Sequence, residues 1–535
     1  MHLDRVVCDR ARKSRDARFD GKFFIAVKTT RIYCRPICPA RSPKDENVTY
    51  YPTAAAAEAA GYRPCLRCRP EASPGTPAWN GTSSIVSRGL RLIGEGALDH
   101  DGVEPLADRL GVTARHLRRL FIRHLGATPL AVALTRRVQS AKKLLDETRL
   151  PLAQVALAAG FGSLRRFNAE IRRVYSRTPT ELRRLRTSAP QHLSTSAPPH
   201  PSTSAPQHPS TSAPQHPSTS APQHPSTSYT FRLAYRPPYD WDAMVRFLAA
   251  RATPGVEQVD MIGYRRTIAI GDERGTIAVS PAGDGPALAL EVRFPDPRAL
   301  LSVVERTRRM FDLGADPAAI AACLGSDPLL RGALDAHAGI RTPGAWDGFE
   351  LTVRAILGQQ ISVRAATTMA GRVAERWGEP VDTTIGLTRL FPAPPRLVNA
   401  PLEEIGLISA RAATIRAVAR AAMDGALAFD GVSTHQTLRS IPGIGEWTAQ
   451  YVAMRALNEP DAFPSGDLVL RRMAGVLTSR ALDARSLEWS PWRAYAVMLL
   501  WQLAAERSSP PRRLSNARIA AAHDPRRGDR VAAAG

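Results

Sequence analysis

The pattern of hydrophobic and polar residues divides the chain into helical and strand-rich parts. Between residues 84 and 186, apolar residues recur three and four positions apart, which predicts short helices. Residues 229–294 alternate between apolar and polar, which predicts a small antiparallel sheet with one or two helices. From residue 300 onward the helical spacing returns. The chain is therefore predicted to be multidomain and mainly α, with α+β parts.

Two helical pairs stand out in the first helical region. Thr113 is predicted to cap a helix over residues 114–121, and Ser163 to cap another over residues 164–174, each just after a glycine-containing turn. A long helix near residues 128–145 joins the pairs. Two such pairs in tandem predict a double helix-turn-helix domain. Polar side chains on the second helices are left available for DNA grooves or phosphates, namely Arg115, His116, Arg119, Arg165, Arg166 and Asn168.

A repetitive segment separates the two halves of the chain. Residues 188–227 repeat an eight-residue unit close to S-A-P-Q-H-P-S-T, which lacks the apolar residues needed for a core. Proline-rich tethers are stiff, so the two halves are expected to be spaced apart. The predicted division is an N-terminal domain at 1–80, the double helix-turn-helix domain at 84–186, a disordered linker at 187–228, a sheet subdomain at 229–300, a helical domain at 301–505 and a disordered tail at 506–535.

The charge of the chain is strongly positive and unevenly placed. The formal net charge is +23, and residues 1–186 hold 35 lysines and arginines against 17 acidic residues. A basic front half favours nucleic acid as a partner. Neither a signal peptide nor an apolar run of membrane-spanning length is evident, so we expect a cytoplasmic, nucleoid-associated monomer that does not bind membranes.

Four cysteines form two close pairs near the N-terminus. Cys34 and Cys38 have C-x3-C spacing, and Cys65 and Cys68 have C-x2-C spacing. Four thiolates are the ligand set that a tetrahedral zinc ion takes, so the spacing predicts one Zn²⁺ site. Disulfides or buried free thiols are the alternative, which the scarcity of other cysteines disfavours.

The stretch R-x-x-C-R-P-x-C at residues 31–38, with Glu46-Asn47-Val48 and G-Y-R-P-C-L-R-C at residues 61–68, resembles the zinc-binding N-terminal domain of the Ada family over about 75 residues. The resemblance implies a single-turnover repair of methyl phosphotriesters in DNA, with Cys34 as the methyl acceptor. Methylation would lower the negative charge of the site and tighten DNA binding. Arginines expected near the DNA backbone include Arg31, Arg35 and Arg67. A purely structural zinc module is the alternative.

The run G-F-x-S-x-x-x-F from Gly160, with the closing Arg177-Thr178-Pro179, resembles the second helix-turn-helix unit of AraC-type DNA-binding domains over about 100 residues. This resemblance implies sequence-specific transcription activation on promoter DNA, with RNA polymerase as a partner.

The opening F-R-L-A-Y-R-P-P-Y-D-W at residues 231–241 and the run L-R-S-I-P-G-I-G-E-W-T-A-Q-Y at residues 438–451 resemble AlkA-type 3-methyladenine DNA glycosylases. The second run predicts a helix-hairpin-helix turn in which Gly443 and Gly445 let backbone N–H groups face a phosphate. In this superfamily the loop carbonyls can also hold a monovalent cation.

The glycosylase resemblance also implies roles for residues around the turn. Asp467 matches the catalytic aspartate, and Trp447, Tyr451 and Trp501 match the aromatic base pocket. Gln360 stands where relatives have a leucine wedge, so either Gln360 or Ile361 is expected to enter the duplex. Relatives with lyase activity carry a lysine at the position of Trp447, so we expect base excision without strand cleavage.

Together these features predict an alkylation sensor, a transcription activator and a base-excision enzyme in one chain. The alternative is a transcription regulator whose C-terminal domain binds damaged DNA without cleaving it.

Overall fold

The computed structural model describes residues 3–74, 84–99, 101–187, 228–429 and 433–508. The predicted fold class is confirmed: a small sheet domain, an all-helical domain, an antiparallel sheet subdomain and a large helical domain follow one another. Within these ranges, no helix has the length and apolar character needed to cross a bilayer. The repeats at 188–227 and the tail beyond 508 lie outside the described residues.

The N-terminal domain is built on a small four-stranded sheet. Its strands are β1 (Phe24–Val27), β2 (Ile32–Cys34), β3 (Val48–Tyr51) and β4 (Arg63–Pro64), in the order β3-β1-β2-β4, and its helices are α1 (Arg5–Ser14) and α2 (Ala54–Ala59). Strands β2 and β4 are parallel, and Tyr33 pairs with Pro64. Each strand leads directly into one cysteine pair, so the parallel pairing brings Cys34 and Cys65 to the same edge of the sheet.

The second domain contains the predicted helical pairs. Its helices are α3 (Ser84–Gly94), α4 (Val103–Arg109), α5 (Ala114–Leu125), α6 (Pro129–Glu147), α7 (Leu152–Ala158), α8 (Leu164–Tyr175) and α9 (Pro179–Thr187). The predicted caps are confirmed, because Thr113 accepts a hydrogen bond from the His116 N–H and Ser163 accepts one from the Arg166 N–H. Phe121 on α5 and Phe167 on α8 are fully buried, so both helices pack against the domain core through their apolar faces.

The third region begins with a five-stranded antiparallel sheet and continues as helices. The strands are β5 (Ser228–Ala234), β6 (Glu257–Val259), β7 (Tyr264–Ile270), β8 (Glu273–Pro281) and β9 (Ala287–Arg293), in the order β5-β9-β8-β7-β6. The helices are α10 (Trp241–Ala249), α11 (Leu300–Met310), α12 (Pro317–Leu324), α13 (Pro328–Ala336), α14 (Gly348–Leu357), α15 (Val363–Trp377), α16 (Pro394–Leu397), α17 (Ser409–Met423), α18 (Thr434–Ser440), α19 (Glu446–Arg455), α20 (Leu468–Met473), α21 (Ser479–Ser486) and α22 (Arg493–Ser508). The sheet packs on α10 and α11, and the later helices form two further cores.

The two halves of the chain pack together, so the expectation that the tether holds them apart is wrong. One apolar cluster contains residues from both, including Phe167 of the helical domain and Phe231 of the sheet. Lys22 pairs with Asp316 at 2.6 Å, and Arg88 pairs with Glu459 at 2.9 Å. The composition of a tether sets its reach and stiffness, but the fit between the surfaces it joins decides whether they dock.

Candidate functional sites

The four predicted zinc ligands lie together in the N-terminal domain. The Sγ atoms of Cys34, Cys38, Cys65 and Cys68 are all within 4.8 Å of one another. Four thiolates about 2.3 Å from a tetrahedral zinc are separated by about 3.8 Å, so the cluster fits the ion with a small contraction. None of the six cysteines is in a disulfide, which argues against the disulfide alternative. These four cysteines hold one Zn²⁺.

Access to the four thiols is unequal. Cys65 and Cys68 are only 7% and 6% exposed, whereas Cys34 and Cys38 are each partly exposed. The backbone N–H of Arg35 donates to the Sγ of Cys68 at 3.3 Å, which further restrains the position of this buried thiol. By residue exposure, Cys34 and Cys38 are therefore better placed than Cys65 and Cys68 to meet a substrate at the surface.

Arg35 does not lie where a DNA contact requires it. Its residue is 9% exposed, and its guanidinium pairs with the carboxylate of Asp20 and donates to the Cys68 carbonyl at 3.0 Å. Because both ends of its fork are occupied within the domain, Arg35 braces the cysteine cluster, which argues against the predicted backbone contact. Sequence spacing alone does not distinguish an arginine beside a metal site from one that faces outward.

Other arginines around the cluster are exposed. Arg67 and Arg63 face solvent, and Arg31 is exposed with its guanidinium 4.6 Å from the ring centroid of Tyr62. Arg31 also donates to the Ala60 carbonyl at 3.2 Å. Three exposed arginines thus lie close in sequence to the cysteine ligands.

The polar residues predicted on the second helices lie on the outer faces of α5 and α8. Arg115 and Arg119 on α5 are exposed, as are Arg165 and Arg166 on α8. His116 and Asn168 are partly exposed, and an Arg119 Nη2 atom lies 2.9 Å from Nδ1 of His116. Both helices therefore offer cationic surfaces of the kind that contacts DNA.

The helix-hairpin-helix turn connects α18 to α19, as predicted. Gly443 has a φ of +90°, and a Cβ there would lie 2.1 Å from the Oγ1 of Thr414, so only glycine fits. Gly445 is exposed and forms the N-cap of α19, with open space where a side chain would be. The turn presents backbone at a helix N-terminus, where a phosphate is stabilised.

Asp467 lies at the N-terminus of α20 and has two partners. One carboxylate oxygen accepts from the Leu470 N–H at 3.0 Å, and the other accepts from the Trp447 indole N–H at 3.1 Å. Asp467 is thus an N-cap, yet its second oxygen faces the aromatic side chains. Its neighbour Asp461 instead pairs with Arg493.

The three predicted pocket aromatics come together beside Asp467. The rings of Trp447 and Tyr451 are stacked, with centroids 5.1 Å apart and planes 9° apart. Trp501 on α22 lies with its centroid 6.3 Å from that of Tyr451. The Asp467 carboxylate and these three rings form one cluster, which we call the aromatic corner.

Sequence reasoning missed a second wall of this corner, which comes from the sheet subdomain. Phe247 on α10 stacks on Trp501 at 6.3 Å, and the Arg251 guanidinium lies 3.8 Å from the Phe247 ring centroid. Arg455 donates to the Tyr451 hydroxyl at 2.6 Å. Burial by itself would raise the pKa of Tyr451, but the nearby Arg455 and Arg251 lower it. The apolar stripe of α10 signals only a buried helix, since its partners Arg455 and Trp501 are more than 200 residues further along the chain.

The loop predicted to enter the duplex lies beside the hairpin turn. Gln360 is exposed and has a φ of +59°, and Ile361 is 38% exposed. Gln359, which the sequence did not single out, donates to the Gly443 carbonyl at 3.1 Å and to the Thr448 hydroxyl at 3.2 Å. Gln359 therefore fixes this loop to the turn.

Four protein families match successive parts of the chain. The metal binding domain of Ada matches residues 7–71, and a helix-turn-helix domain matches residues 106–185. The AlkA N-terminal domain matches residues 230–347, and the HhH-GPD superfamily of base excision DNA repair proteins matches residues 353–483. The order of the matches agrees with the order of the structural domains.

Curated relatives cover the whole arrangement and its parts. A probable bifunctional transcriptional activator/DNA repair enzyme AlkA from Mycobacterium tuberculosis is 41% identical, over 94% of this chain and 97% of that protein. DNA-3-methyladenine glycosylase 2 from Escherichia coli is 34% identical, over 51% of this chain and 96% of that protein. The bifunctional transcriptional activator/DNA repair enzyme AdaA from Bacillus subtilis is 31% identical, over 32% of this chain and 78% of that protein.

Proposed function

This chain belongs to the family of bifunctional transcriptional activator/DNA repair enzymes of the AlkA type, and we propose that it removes two kinds of alkyl damage from DNA and activates transcription in response. A four-cysteine zinc site and a glycosylase domain occur in one chain. The observation that carries the glycosylase assignment is the contact between Asp467 and Trp447 at the edge of the aromatic corner.

The N-terminal site accepts a methyl group from a DNA methyl phosphotriester. Zinc, when bound, keeps the cysteine sulfur in its nucleophilic thiolate form at neutral pH. Cys34 is the proposed nucleophile, and its partial exposure supports this role. The sulfur forms a bond to the methyl carbon while the methyl carbon–oxygen bond breaks, and the electron pair leaves on the phosphodiester oxygen. The resulting thioether has no route back, so each molecule reacts once.

Methyl transfer changes the charge that faces DNA. Loss of one thiolate charge weakens repulsion of the backbone phosphates, so DNA binding tightens. Arg31 and Arg67 are exposed, near Cys34 and Cys68 in the sequence, and supply the proposed phosphate contacts. The exposed faces of α5 and α8 then bind promoter DNA, and RNA polymerase is the proposed partner in activation.

The C-terminal domain excises alkylated bases of the 3-methyladenine type. Departure of the base with the glycosidic electron pair builds positive charge on the deoxyribose, and the Asp467 carboxylate stabilises that charge. Water then bonds to the anomeric carbon and loses its proton to solvent. An alkylated purine is electron-poor, so the stacked faces of Trp447 and Tyr451 attract it after it leaves the duplex. The mechanism uses no lysine nucleophile, so the strand stays intact.

The glycosylase assignment is tested by measuring base release. Purified full-length protein is incubated with methylated duplex DNA, and free 3-methyladenine is quantified for the wild type, Asp467→Asn and Asp461→Asn. Asp461 lies in the same loop but pairs with Arg493, so it serves as the matched control. We expect release by the wild type and the control and its loss in Asp467→Asn. Unchanged release by Asp467→Asn would refute the role of this residue, and no release by the wild type would favour a non-catalytic domain that binds damaged DNA.

The methyl acceptor is tested by mass spectrometry of the same protein. After incubation with a duplex bearing one methyl phosphotriester, we expect one added methyl group on the peptide containing Cys34. Cys323→Ser, which changes a thiol remote in sequence from the cluster, should gain it equally, and Cys34→Ser should not. A methyl group on Cys38 would show that this other partly exposed thiol is the acceptor. If no methyl group is found, the site is only a structural zinc module.

A further inference from the structure

The strand that carries Cys34 is bonded to the helical domain through a carboxylate. Tyr33, which precedes Cys34, is fully buried, and its hydroxyl donates to one carboxylate oxygen of Glu58 at 2.8 Å. The other oxygen of Glu58 accepts from the Thr135 hydroxyl on α6 at 2.7 Å. Both oxygens are therefore used, and the three side chains form one relay between strand β2 and helix α6.

The other end of the ligand set is bonded to the same helix. Arg69, which follows Cys68, pairs with Asp146 on α6 at 2.7 Å. Lys142, also on α6, lies with its ammonium group 3.5 Å from a carboxylate oxygen of Glu71. The residues that flank the first and last cysteines are thus both connected to α6.

The two attachment points share one face of α6. Thr135 and Asp146 are eleven residues apart, which is close to three full turns, so they lie about 16 Å apart along one side of the helix. Thr135 and Asp146 are buried, with 7% and 8% of their surface exposed. A third hydrogen bond runs from the Thr53 hydroxyl to the carbonyl of Leu125, the last residue of α5, at 2.8 Å. Two separated points on one helix prevent rotation of the zinc domain about either of them.

Helix α6 also joins the two helix-turn-helix units, since it lies between α5 and α8 in the chain and packs against both. We propose that Glu58, Thr135 and Asp146 are positioning residues that hold the methyl-acceptor thiols in a fixed geometry relative to the two DNA-binding helices, so that methylation is converted into tighter promoter binding. This inference rests on the proposed function, because it concerns the regulation of the same acceptor site.

The consequence is that methyl transfer and its effect on promoter binding can be separated. Transfer needs only the thiols and a nearby phosphotriester. The affinity gain at a promoter needs the acceptor site and both recognition helices to meet one duplex together, which a loosely attached zinc domain achieves only at an entropic cost.

The test uses full-length Thr135→Val and Asp146→Asn, singly and combined. Thr135→Val keeps the volume of the side chain and removes the bond to Glu58, and Asp146→Asn removes the charge that pairs with Arg69. The probe is a promoter duplex selected from random-sequence DNA by methylated wild-type protein. For each variant, the transfer rate from a methyl phosphotriester oligonucleotide, the zinc content, and the promoter affinity before and after methylation are measured.

We expect the transfer rate and zinc content of the double variant to stay within about twofold of wild type, while the methylation-dependent gain in promoter affinity falls at least about fivefold, the low end of typical allosteric coupling. The control is Thr307→Val combined with Asp461→Asn. Thr307 is a buried threonine of α11, and Asp461 pairs with Arg493 in the glycosylase half. This control should retain the gain.

Two results would overturn the inference. An undiminished affinity gain in the double variant would show that the attachment to α6 is dispensable. A loss of zinc and of transfer together would show that these residues only maintain the fold. If wild-type protein gains no methyl group at all, the proposed function fails instead, and the transfer measurement identifies that case.

Discussion

The indole N–H of Trp447 donates a hydrogen bond to Asp467 at 3.1 Å, so the ring that stacks on Tyr451 also orients the carboxylate. Trp447 lies on α19, directly after the hairpin turn, and Asp467 begins α20. Backbone contact with DNA, base stacking and charge stabilisation are therefore connected through one side chain.

This relationship predicts the effect of Trp447→Phe. The variant keeps an aromatic face but leaves one Asp467 oxygen without its donor, and a hydrogen bond to a charged group contributes about 1.5–3 kcal/mol. We expect single-turnover release of 3-methyladenine to slow roughly 10- to 100-fold. Trp501→Phe, which removes an indole without a bond to Asp467, should slow release less, and equal losses would contradict the orienting role.

Gln359 is expected to affect duplex binding more than chemistry. Its amide donates to the Gly443 carbonyl and the Thr448 hydroxyl, and Gln359→Met has a similar length without a donor. We expect KM for methylated duplex to rise about threefold to tenfold, in line with the loss of one or two neutral hydrogen bonds, while kcat stays near wild type. Steady-state kinetics with Gln258→Met, an exposed strand residue, as control separate the two parameters; a fall in kcat alone would refute the assignment.

Gly443→Ala is expected to disrupt the hairpin turn. The added Cβ would lie 2.1 Å from the Thr414 Oγ1, and the φ of +90° costs a non-glycine residue about 1–2 kcal/mol. Duplex affinity should fall at least about tenfold in a fluorescence anisotropy titration. Gly332→Ala, with open space for its Cβ, should bind normally. Adding Thr414→Ala should recover part of the loss, because it removes the clash but not the strain.

Asp312 gives the glycosylase half a specific pH dependence. Burial raises the pKa of Asp312 to about 6, even though it accepts bonds from the Thr342 N–H and the Tyr495 hydroxyl. The folded protein therefore holds this proton more tightly than the unfolded chain. The stabilisation from Asp312 is complete below the ordinary aspartate pKa near 4 and is lost as the pH rises through about 6.

The change that tests this dependence is Asp312→Asn, which does not titrate. Between about pH 4 and pH 6 the stability of wild type relative to the variant should fall by about 3 kcal/mol, and its unfolding temperature should fall accordingly. Scanning calorimetry at several pH values measures the difference. A constant difference across this window would contradict the raised pKa.

The docking of the two halves is tested through Lys22 and Asp316. The pair is mostly buried, with side-chain exposures of 13% and 11%, so removal of one partner leaves a charge that is poorly solvated. Lys22→Met or Asp316→Asn should each increase the radius of gyration in small-angle X-ray scattering, and Asp316→Asn keeps an oxygen to cap α12. The increase in radius of gyration for the double variant should be smaller than the sum of the increases for the two single variants. Equal radii for all four proteins would show that the pair does not hold the halves.

Local signals in the sequence predicted local structure well. Thr113 and Ser163 cap their helices as predicted because a cap is decided by a few neighbouring backbone groups. The cysteine cluster follows from two short spacings, and the turn at Gly443 from a conformation that favours glycine. Each of these features depends on residues close together in the chain.

Features that depend on distant partners were not predictable in the same way. Arg35 looked like a surface cation, but Asp20 folds against it and buries it. Phe247 and Arg251 complete the aromatic corner, although helical periodicity could indicate only that α10 has a buried face. The fit between the halves depends on pairs such as Arg88 and Glu459, whose separation in sequence no periodicity spans.

The burial of Arg35 has an electrostatic consequence for the sensor. Because Asp20 neutralises this guanidinium, the cation most closely tied to the thiols cancels none of their field outside the domain. An approaching phosphodiester therefore meets the negative charge of the unreacted site offset only by exposed arginines such as Arg31 and Arg67, and alkylation of a single sulfur removes one unit of that charge. The internal pairing of Arg35 with Asp20 thus leaves more of the charge difference between the unmethylated and methylated protein facing the DNA, and this difference weakens in concentrated salt.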